Sequence, residues 1–306
     1  MMDKRLTHSW SSIAECIEAA RSACWERTKD LGQACTNAPI QEVAKALDAT
    51  DPWLGYRYIP PTVMQKWFSV RGEIGENGFA DYLRLLLQYF IAQYSQTVSA
   101  LSLPSAFIDE IEKVFRRMLR QCVDATLPAS PEDDRYLKDL AIARGRMIPC
   151  VSHLIYRYSG VPRRAVFAQP WSRLPKLLAF FGSHGGFRPF LENHVHLAML
   201  DEFNVEGRQR CYRMVAELLR MWPESKGLIG ASWYYDPRVR EISPKLAYLY
   251  EEPAKHGARF MKIASEGPKS DAFVRSVRRR HLFESGAYVP TIYLMVWPRA
   301  EILARY

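Results

Sequence analysis

The pattern of hydrophobic positions changes midway along the chain. In the first part, up to about residue 145, apolar residues recur at intervals of three and four, which is typical of amphipathic helices. The clearest helical stretches are one opened by the capping-box pattern Ser12–Glu15, the long apolar segment Tyr82–Leu101, and a segment with Ile108, Ile111, Phe115, Met118 and Leu119 on one face. The front half is therefore predicted to be all-helical.

Short apolar runs alternate with helical patterns in the back half. The predicted strands are Phe190–Leu197, Lys226–Tyr235, Gly257–Ala264 and Tyr288–Trp297. The predicted helices between them are Asn204–Met221, Ser243–Tyr250 and Ser270–Glu284. The predicted fold class is therefore α+β, with an all-helical N-terminal half followed by a mixed α/β domain.

Prolines and glycines are concentrated between Pro149 and Pro189, which indicates loops and short helices. A chain of 306 residues is long enough for two domains. We therefore expect a helical domain over 1–148, a linker with short helices over 149–189, and an α/β domain over 190–306.

Composition narrows the class of protein. Hydrophobic residues make up 48% and charged residues 25%, which are ordinary values for a globular chain. No run reaches the ~18–20 apolar residues of a membrane span, and the N-terminus resembles no secretion signal. Six cysteines without a CxxC pair are typical of reduced thiols. We expect a cytoplasmic protein with no membrane partner.

The net charge of +9 favours solubility or an anionic partner such as nucleic acid, a nucleotide or a phosphorylated cofactor. The last predicted helix carries a cluster of arginines. Arg275 and Arg279 share a helical face, and Arg278 lies beside them. This face is a candidate phosphate-binding surface, with an ordinary solvated face as the alternative.

His194-Val195-His196 is the first candidate for chemistry. On a strand, residues two apart face the same side, so both imidazoles are predicted to converge. Convergent histidines suit a divalent metal with Asp201 or Glu202 as a carboxylate neighbour. They equally suit acid–base chemistry, or a purely structural role.

Two further segments follow predicted strands. Ser232, Tyr234 and Asp236 lie at a strand end, where open sheets bind ligands, although Asp236-Pro237 also makes an ordinary turn. The loop Ser265–Ser270 leads from a strand into a predicted helix, a geometry that binds phosphate through backbone N–H groups. Its candidate contacts are Gly267, Lys269 and Ser270, and the alternative is a simple cap made by Ser270.

Residues 188–300 resemble the GNAT superfamily of N-acetyltransferases. The resemblance rests on the strand and helix at His194–Met221, the strand Gly227–Tyr235, the strand, loop and helix at Phe260–Ser270, and the ending Arg278–Arg299. In that ending Gly286 matches the glycine of the family's Tyr-x-x-x-Gly-Phe turn, while Leu282 and Ala287 stand at the aromatic positions. For the family's glycine-rich pyrophosphate loop, the chain offers only Ser265–Ser270.

The resemblance implies transfer of an acyl or aminoacyl group to an amine or hydroxyl of a small acceptor. The cosubstrate would be acyl-CoA or aminoacyl-tRNA, with tRNA a partner in the second case, and no metal or permanently bound cofactor is expected. His194 or His196 would be the base, helped by Asp201 or Glu202. Ser232 and Tyr234 would hold the acceptor or the tetrahedral oxygen, and Tyr293 would protonate the leaving group. The donor phosphates would contact Gly267, Lys269, Ser270, Arg275, Arg278 and Arg279.

Two other interpretations stay open. One is a metal-dependent hydrolase or oxygenase that uses His194 and His196. The other is a non-catalytic module that binds RNA or protein through its basic surface. The helical half would cap the site, form a homodimer interface or recognise a macromolecular donor.

Overall fold

The computed structural model describes the backbone of residues 4–27, 39–274 and 276–306, and within these ranges the side chains from residue 13 onward except 95–100. The chain forms two compact units. The first comprises Met1–Leu154 with His196–Leu200, and the second comprises Ile155–Val195 with Asp201–Tyr306. Five described cysteines are free thiols, and Cys35 lies outside the described residues.

The first unit confirms the predicted helical front half. Its helices are α1 (Lys4–Arg27), α2 (Ile40–Asp48), α3 (Pro61–Leu101), α4 (Ser105–Val123) and α5 (Asp134–Ala143), followed by the strand β1 (Met147–Cys150).

Periodicity located the buried faces of these helices. The predicted stripe from Ile108 to Leu119 is buried on α4. Two details differ from the prediction. Helix α1 begins at Lys4, upstream of Ser12, because serine is tolerated inside helices. Helix α3 is two segments joined at Gly75, whose φ of 70° and ψ of 178° suit only glycine.

The second unit is the mixed α/β half. Its elements are β2 (His153–Ser159), α6 (Arg163–Phe167), α7 (Leu174–Ser183), β3 (Phe190–His194), α8 (Val205–Met221), β4 (Gly227–Ser232), α9 (Val239–Ile242), α10 (Tyr248–Lys255), β5 (Arg259–Ser265), α11 (Val277–Glu284), β6 (Thr291–Pro298) and α12 (Arg299–Arg305). The segment predicted as a linker thus supplies most of β2 and two helices to this unit.

The sheet of this unit has the strand order β2-β3-β4-β6-β5, and β1 neighbours β2, whose first two residues still belong to the first unit. β3 and β4 are parallel, whereas β6 is antiparallel to both β4 and β5. Helix α8 connects the two parallel strands, so their carboxyl ends lie at the same edge of the sheet.

One face of the sheet packs against α6 and α7 in a hydrophobic cluster that includes Phe190, Ile229 and Leu294. On the opposite face, Tyr212 of α8 meets Trp297 edge to face, with ring centroids 4.9 Å apart. None of the described helices is apolar enough over a sufficient length to cross a membrane.

Several predicted elements were too long. β3 ends at His194 and β4 ends at Ser232, because the chain after each strand turns into a 3₁₀ helix, Leu197–Glu202 and Trp233–Tyr235 respectively.

The predicted helix Ser270–Glu284 is two elements, the 3₁₀ turn Asp271–Phe273 and α11. Two separate caps explain the division. The Ser270 hydroxyl accepts from the Ala272 N–H at 3.1 Å, and the Ser276 hydroxyl accepts from the Arg279 N–H at 3.2 Å.

Candidate functional site

The parallel pairing of β3 and β4 covers two residue pairs, and beyond these pairs a side chain of β3 contacts β4. It joins Leu191 to Leu228 and Glu192 to Ile229. Immediately beyond, the Asn193 amide lies over Gly230, where an added Cβ would come within 1.7 Å of it. Only glycine leaves room for this amide, so residue 230 is constrained by the neighbouring strand.

The Asn193 amide also fixes the turn that follows β4. In the orientation that satisfies its neighbours, its nitrogen donates to the Ile229 carbonyl at 3.0 Å. Its oxygen accepts from the Tyr235 hydroxyl at 3.0 Å and from the Arg208 guanidinium at 3.1 Å. Arg208 also donates to the Tyr235 hydroxyl at 2.8 Å. These bonds hold the ends of β3 and β4 in a defined geometry.

His194 stands at the carboxyl end of β3 beside Glu192, a carboxylate that was not among the predicted site residues. Its Nε2 lies 3.5 Å from Oε2 of Glu192, two residues earlier on the same side of the strand. The same Glu192 oxygen accepts a hydrogen bond from the Ser159 hydroxyl at 2.7 Å. An imidazole within 3.5 Å of a carboxylate is an arrangement suited to acid–base chemistry.

His196 has a different environment, within the first unit. Its Nδ1 accepts from the Ala198 N–H at 3.1 Å, and its Nε2 lies 3.4 Å from Oδ1 of Asp139. Asp139 accepts from Arg117 at 2.5 Å. Burial, with added repulsion from Arg117 and Lys138, lowers the pKa of His196 to about 3. This is a neutral, structurally engaged histidine and a poor base.

The strand on which the predicted convergence of His194 and His196 depended does not include His196. The convergence required both residues to lie on one strand, but β3 ends at His194, and the same-side rule does not extend past the strand end. Over the described ranges, no group of three or more His, Cys, Asp or Glu side chains is arranged to hold a metal ion.

Ser232 and Tyr293 are direct cross-strand partners, and Tyr293 also pairs with Lys262 of β5. The three side chains thus form one row on the face opposite Glu192 and His194, with Lys262 exposed and the two hydroxyl residues half-buried. Burial, with a contribution from Asp236, raises the pKa of Tyr293. Tyr293 is therefore a protonated donor at neutral pH.

Tyr234 is part of the supporting layer. Its ring lies 5.7 Å from that of Phe203 and 4.7 Å from that of Tyr235 by centroid, and only 8% of the residue is exposed. Burial raises the pKa of its hydroxyl well above the ordinary value. We assign Tyr234 to packing rather than to contact with an acceptor.

The two carboxylates predicted to assist the histidine base, Asp201 and Glu202, have other surroundings. Glu202 forms an exposed ion pair with Arg210, and Asp201 is exposed. The carboxylate beside an imidazole at this edge is Glu192. Glu192 lies two residues before His194 on a predicted strand. The rule that such residues share a side of the strand would have identified it from the sequence.

The structure does not form the predicted phosphate loop. Gly267 and Lys269 are exposed, and the Ser270 hydroxyl donates to the Glu266 carboxylate at 2.6 Å. The loop leads into a 3₁₀ turn of three residues, which lacks the dipole of a longer helix. A carboxylate occupying the loop also disfavours phosphate.

The predicted basic face is divided. Arg278 is exposed on α11, whereas Arg279 is buried, and Arg275 lies outside the described residues. A surface that needs Arg278 and Arg279 together is therefore not present on α11.

No protein-family model matches the sequence, and no curated protein matches it. Two solved structures are similar in fold. One is an acyltransferase mutant in complex with octanoyl-CoA, with a TM-score of 0.45 and 12% identity over 89% of this chain and 88% of that chain. The other is an acyltransferase in complex with decanoyl-CoA and teicoplanin, with a TM-score of 0.44 and 12% identity over 88% and 87%.

Proposed function

We propose that the second unit is an acyltransferase that moves an acyl group from acyl-CoA to an amine or hydroxyl of a small acceptor. One observation carries the proposal. At the carboxyl-end edge of the parallel strands, the His194–Glu192 pair and the Ser232 and Tyr293 hydroxyls project from opposite faces of the sheet, so a common substrate would lie across the strand ends. Acyl transfer needs a base that deprotonates the acceptor and hydrogen-bond donors that stabilise the oxyanion.

Each residue has a role that its surroundings support. His194 takes the proton from the acceptor, and Glu192 orients the imidazole and stabilises the imidazolium that forms. Ser232 donates to the oxygen of the tetrahedral intermediate. Tyr293, whose raised pKa keeps it protonated, supplies a proton to the departing thiolate and regains one from solvent, to which His194 releases the proton of the acceptor.

The order of elements supports a GNAT-like fold for this unit. The segments on which the resemblance rested are present as β3 and α8, then β4, then β5, then α11 and β6. In the family the pyrophosphate loop precedes the central helix. Here the helix between the parallel strands is α8, and the segment before it, residues 195–204, contains no glycine. This segment therefore does not supply the family's pyrophosphate loop.

Acyl-CoA is favoured over aminoacyl-tRNA as the donor. A tRNA donor needs several phosphate contacts on one surface. The burial of Arg279 removes a cation from the predicted arginine surface of α11. Acyl-CoA carries only the phosphates of coenzyme A and needs fewer such contacts than tRNA.

The test is acceptor-dependent release of coenzyme A thiol from a panel of acyl-CoAs, with mass spectrometry of the products. A parallel reaction supplies aminoacyl-tRNA. We expect His194→Gln to lower turnover about 100-fold. His281→Gln, an exposed histidine on α11, is the matched control. Absence of transfer from every acyl-CoA and from aminoacyl-tRNA would rule out the proposal.

A further inference from the structure

Arg279 is a buried cation that lies directly beside the proposed site. Only 8% of it is exposed. Its Nε donates to the Ala272 carbonyl at 2.6 Å, its Nη1 donates to the Ser243 hydroxyl at 2.9 Å, and its Cζ lies 4.6 Å from the Trp233 ring centroid. Trp233 follows Ser232 in the chain, so the two Cα atoms are ~3.8 Å apart.

The side-chain hydrogen bonds of Arg279 to the described residues go to a carbonyl and a hydroxyl, and none of them goes to a carboxylate. Burial lowers the pKa of Arg279. A desolvated cation without a counter-ion is costly, which favours compensation by an anion from outside the chain.

Tyr288 provides a second, independent observation. It is 1% exposed, and its hydroxyl has no hydrogen-bond partner in the described part of the chain. Burial raises the pKa of Tyr288 to about 12, and the positive charge of Arg279 opposes that rise. A buried hydroxyl without a partner is uncommon and indicates a missing ligand or water.

We infer that Trp233, Ser243, Arg279 and Tyr288 form an anion pocket that binds a carboxylate of the acceptor, an inference that rests on the proposed acyl transfer. The remaining guanidinium edge and the Tyr288 hydroxyl each bind one carboxylate oxygen. Trp233 then places the amine or hydroxyl to be acylated beside Ser232. Acceptors of this class are amino acids and hydroxy acids.

The surroundings favour a carboxylate over a phosphate. Besides burial, the negative charges of Asp236 and Glu266 raise the pKa of Tyr288, and the same charges would repel a dianion. Arg238, the other nearby cation, already donates to the Ala287 carbonyl at 2.7 Å. One free guanidinium edge and one hydroxyl match the charge and the two oxygens of a carboxylate.

The test compares benzoate with benzamide, its neutral isostere, in ligand-observed NMR titrations of the full chain. We expect benzoate to bind about tenfold more tightly, because a hydrogen bond to a charged group contributes about 1.5–3 kcal/mol. Arg279→Gln should remove this preference, and Tyr288→Phe should reduce it. Arg280→Gln removes the same charge from an exposed neighbour on α11 and should leave the preference unchanged.

Equal binding of benzoate and benzamide by the wild type would overturn the pocket, and so would an equal loss in Arg279→Gln and Arg280→Gln. If Arg279→Gln does not fold, the pocket is tested with Tyr288→Phe and with Arg279→Lys, which keeps the charge. Benzoate preference without acyl transfer would leave the pocket standing and remove the proposed function. If amino acids and their carboxamides were acylated equally, the proposed acyl transfer would be supported and the carboxylate pocket would be ruled out.

Discussion

Two buried arginines, one in each unit, have the same exposure and opposite surroundings. Arg84 and Arg279 are each 8% exposed. Arg84 donates to Asp81 at 2.8 Å and to the Ala125 and Leu127 carbonyls at 2.9 and 3.0 Å. Arg279 is bonded to one carbonyl and one hydroxyl. Burial alone therefore does not identify a cation that binds a ligand, and the lack of a carboxylate at Arg279 is the difference on which the proposed anion pocket rests.

The first unit balances its buried charges internally. Asp81 serves Arg84 and also Arg27, whose guanidinium approaches it at 2.9 Å. His196, Asp139 and Arg117 form a second closed group. Such groups stabilise a fold and leave no charge for a ligand. Substitutions at these buried charges should therefore affect stability in the first unit and ligand binding in the second.

Asp81→Asn should lower the free energy of unfolding by about 3–5 kcal/mol, because it leaves buried cations without their counter-ion. Urea denaturation followed by circular dichroism measures the change. Asp109→Asn, at an exposed position of α4, is the control and should stay within about 0.5 kcal/mol of wild type. A loss of less than about 1 kcal/mol for Asp81→Asn would contradict the role of Asp81 as the balancing charge.

His196 should make the stability fall in acid. Its folded pKa of about 3 lies below its ordinary value of 6.5, so its contribution is present above pH 6.5 and is lost as the pH falls toward 3. Between pH 7 and pH 5, wild type should lose about 2 kcal/mol more unfolding free energy than His196→Gln.

Comparing the two proteins is necessary because Asp139 acts in the opposite direction. Burial raises the pKa of Asp139 to about 6, so its contribution is lost as the pH rises through that value. Urea denaturation at each pH gives the difference between wild type and His196→Gln. A difference that does not change with pH would show that His196 titrates normally in the folded state.

Ser243→Asp should convert Arg279 into an internally balanced arginine like Arg84. The new carboxylate would lie next to Nη1, which is 2.9 Å from the Ser243 hydroxyl. Benzoate affinity should fall about tenfold. The free energy of unfolding should change by less than about 1 kcal/mol, because the Coulomb attraction of the new ion pair offsets the cost of desolvating the carboxylate. Ser243→Asn has the same shape without the charge. If both variants lose affinity equally, the effect is steric.

Tyr288→Phe should change the free energy of unfolding by less than about 0.5 kcal/mol, because the removed hydroxyl has no described partner. Tyr235→Phe is the matched comparison, since it removes a hydroxyl bonded to Arg208 and Asn193. It should cost about 1–3 kcal/mol by leaving buried groups unsatisfied. Thermal and urea unfolding measure both. A large loss for Tyr288→Phe would mean that the hydroxyl has a structural partner.

Much of the secondary structure was predictable because it depends on short-range periodicity. The buried stripe of α4 and the cap of α8 followed from local pattern, and the Asn204 side chain accepts from the Gly207 N–H at 2.9 Å as a cap should. Element ends were less predictable. The aromatic residues after Ser232 favour a strand locally, yet the backbone there turns to place Tyr235 on Arg208.

The candidate site was predictable only in part. His194, Ser232 and Tyr293 lie at one strand edge in the structure, close to where the strand pattern placed them. Glu192 and Asn193 were missed, because their importance depends on contacts with Ser159 and Gly230 across neighbouring strands.

The helical front half, the buried faces of its helices and the approximate strands followed from the sequence, because residue spacing within a regular element dictates which side chains share a face. Only the tertiary structure decided that His194 and His196 have separate surroundings and that Arg279 is buried. Both depend on where elements end and on which distant groups balance a charge. Those contacts join residues far apart in the chain, and no local pattern encodes them.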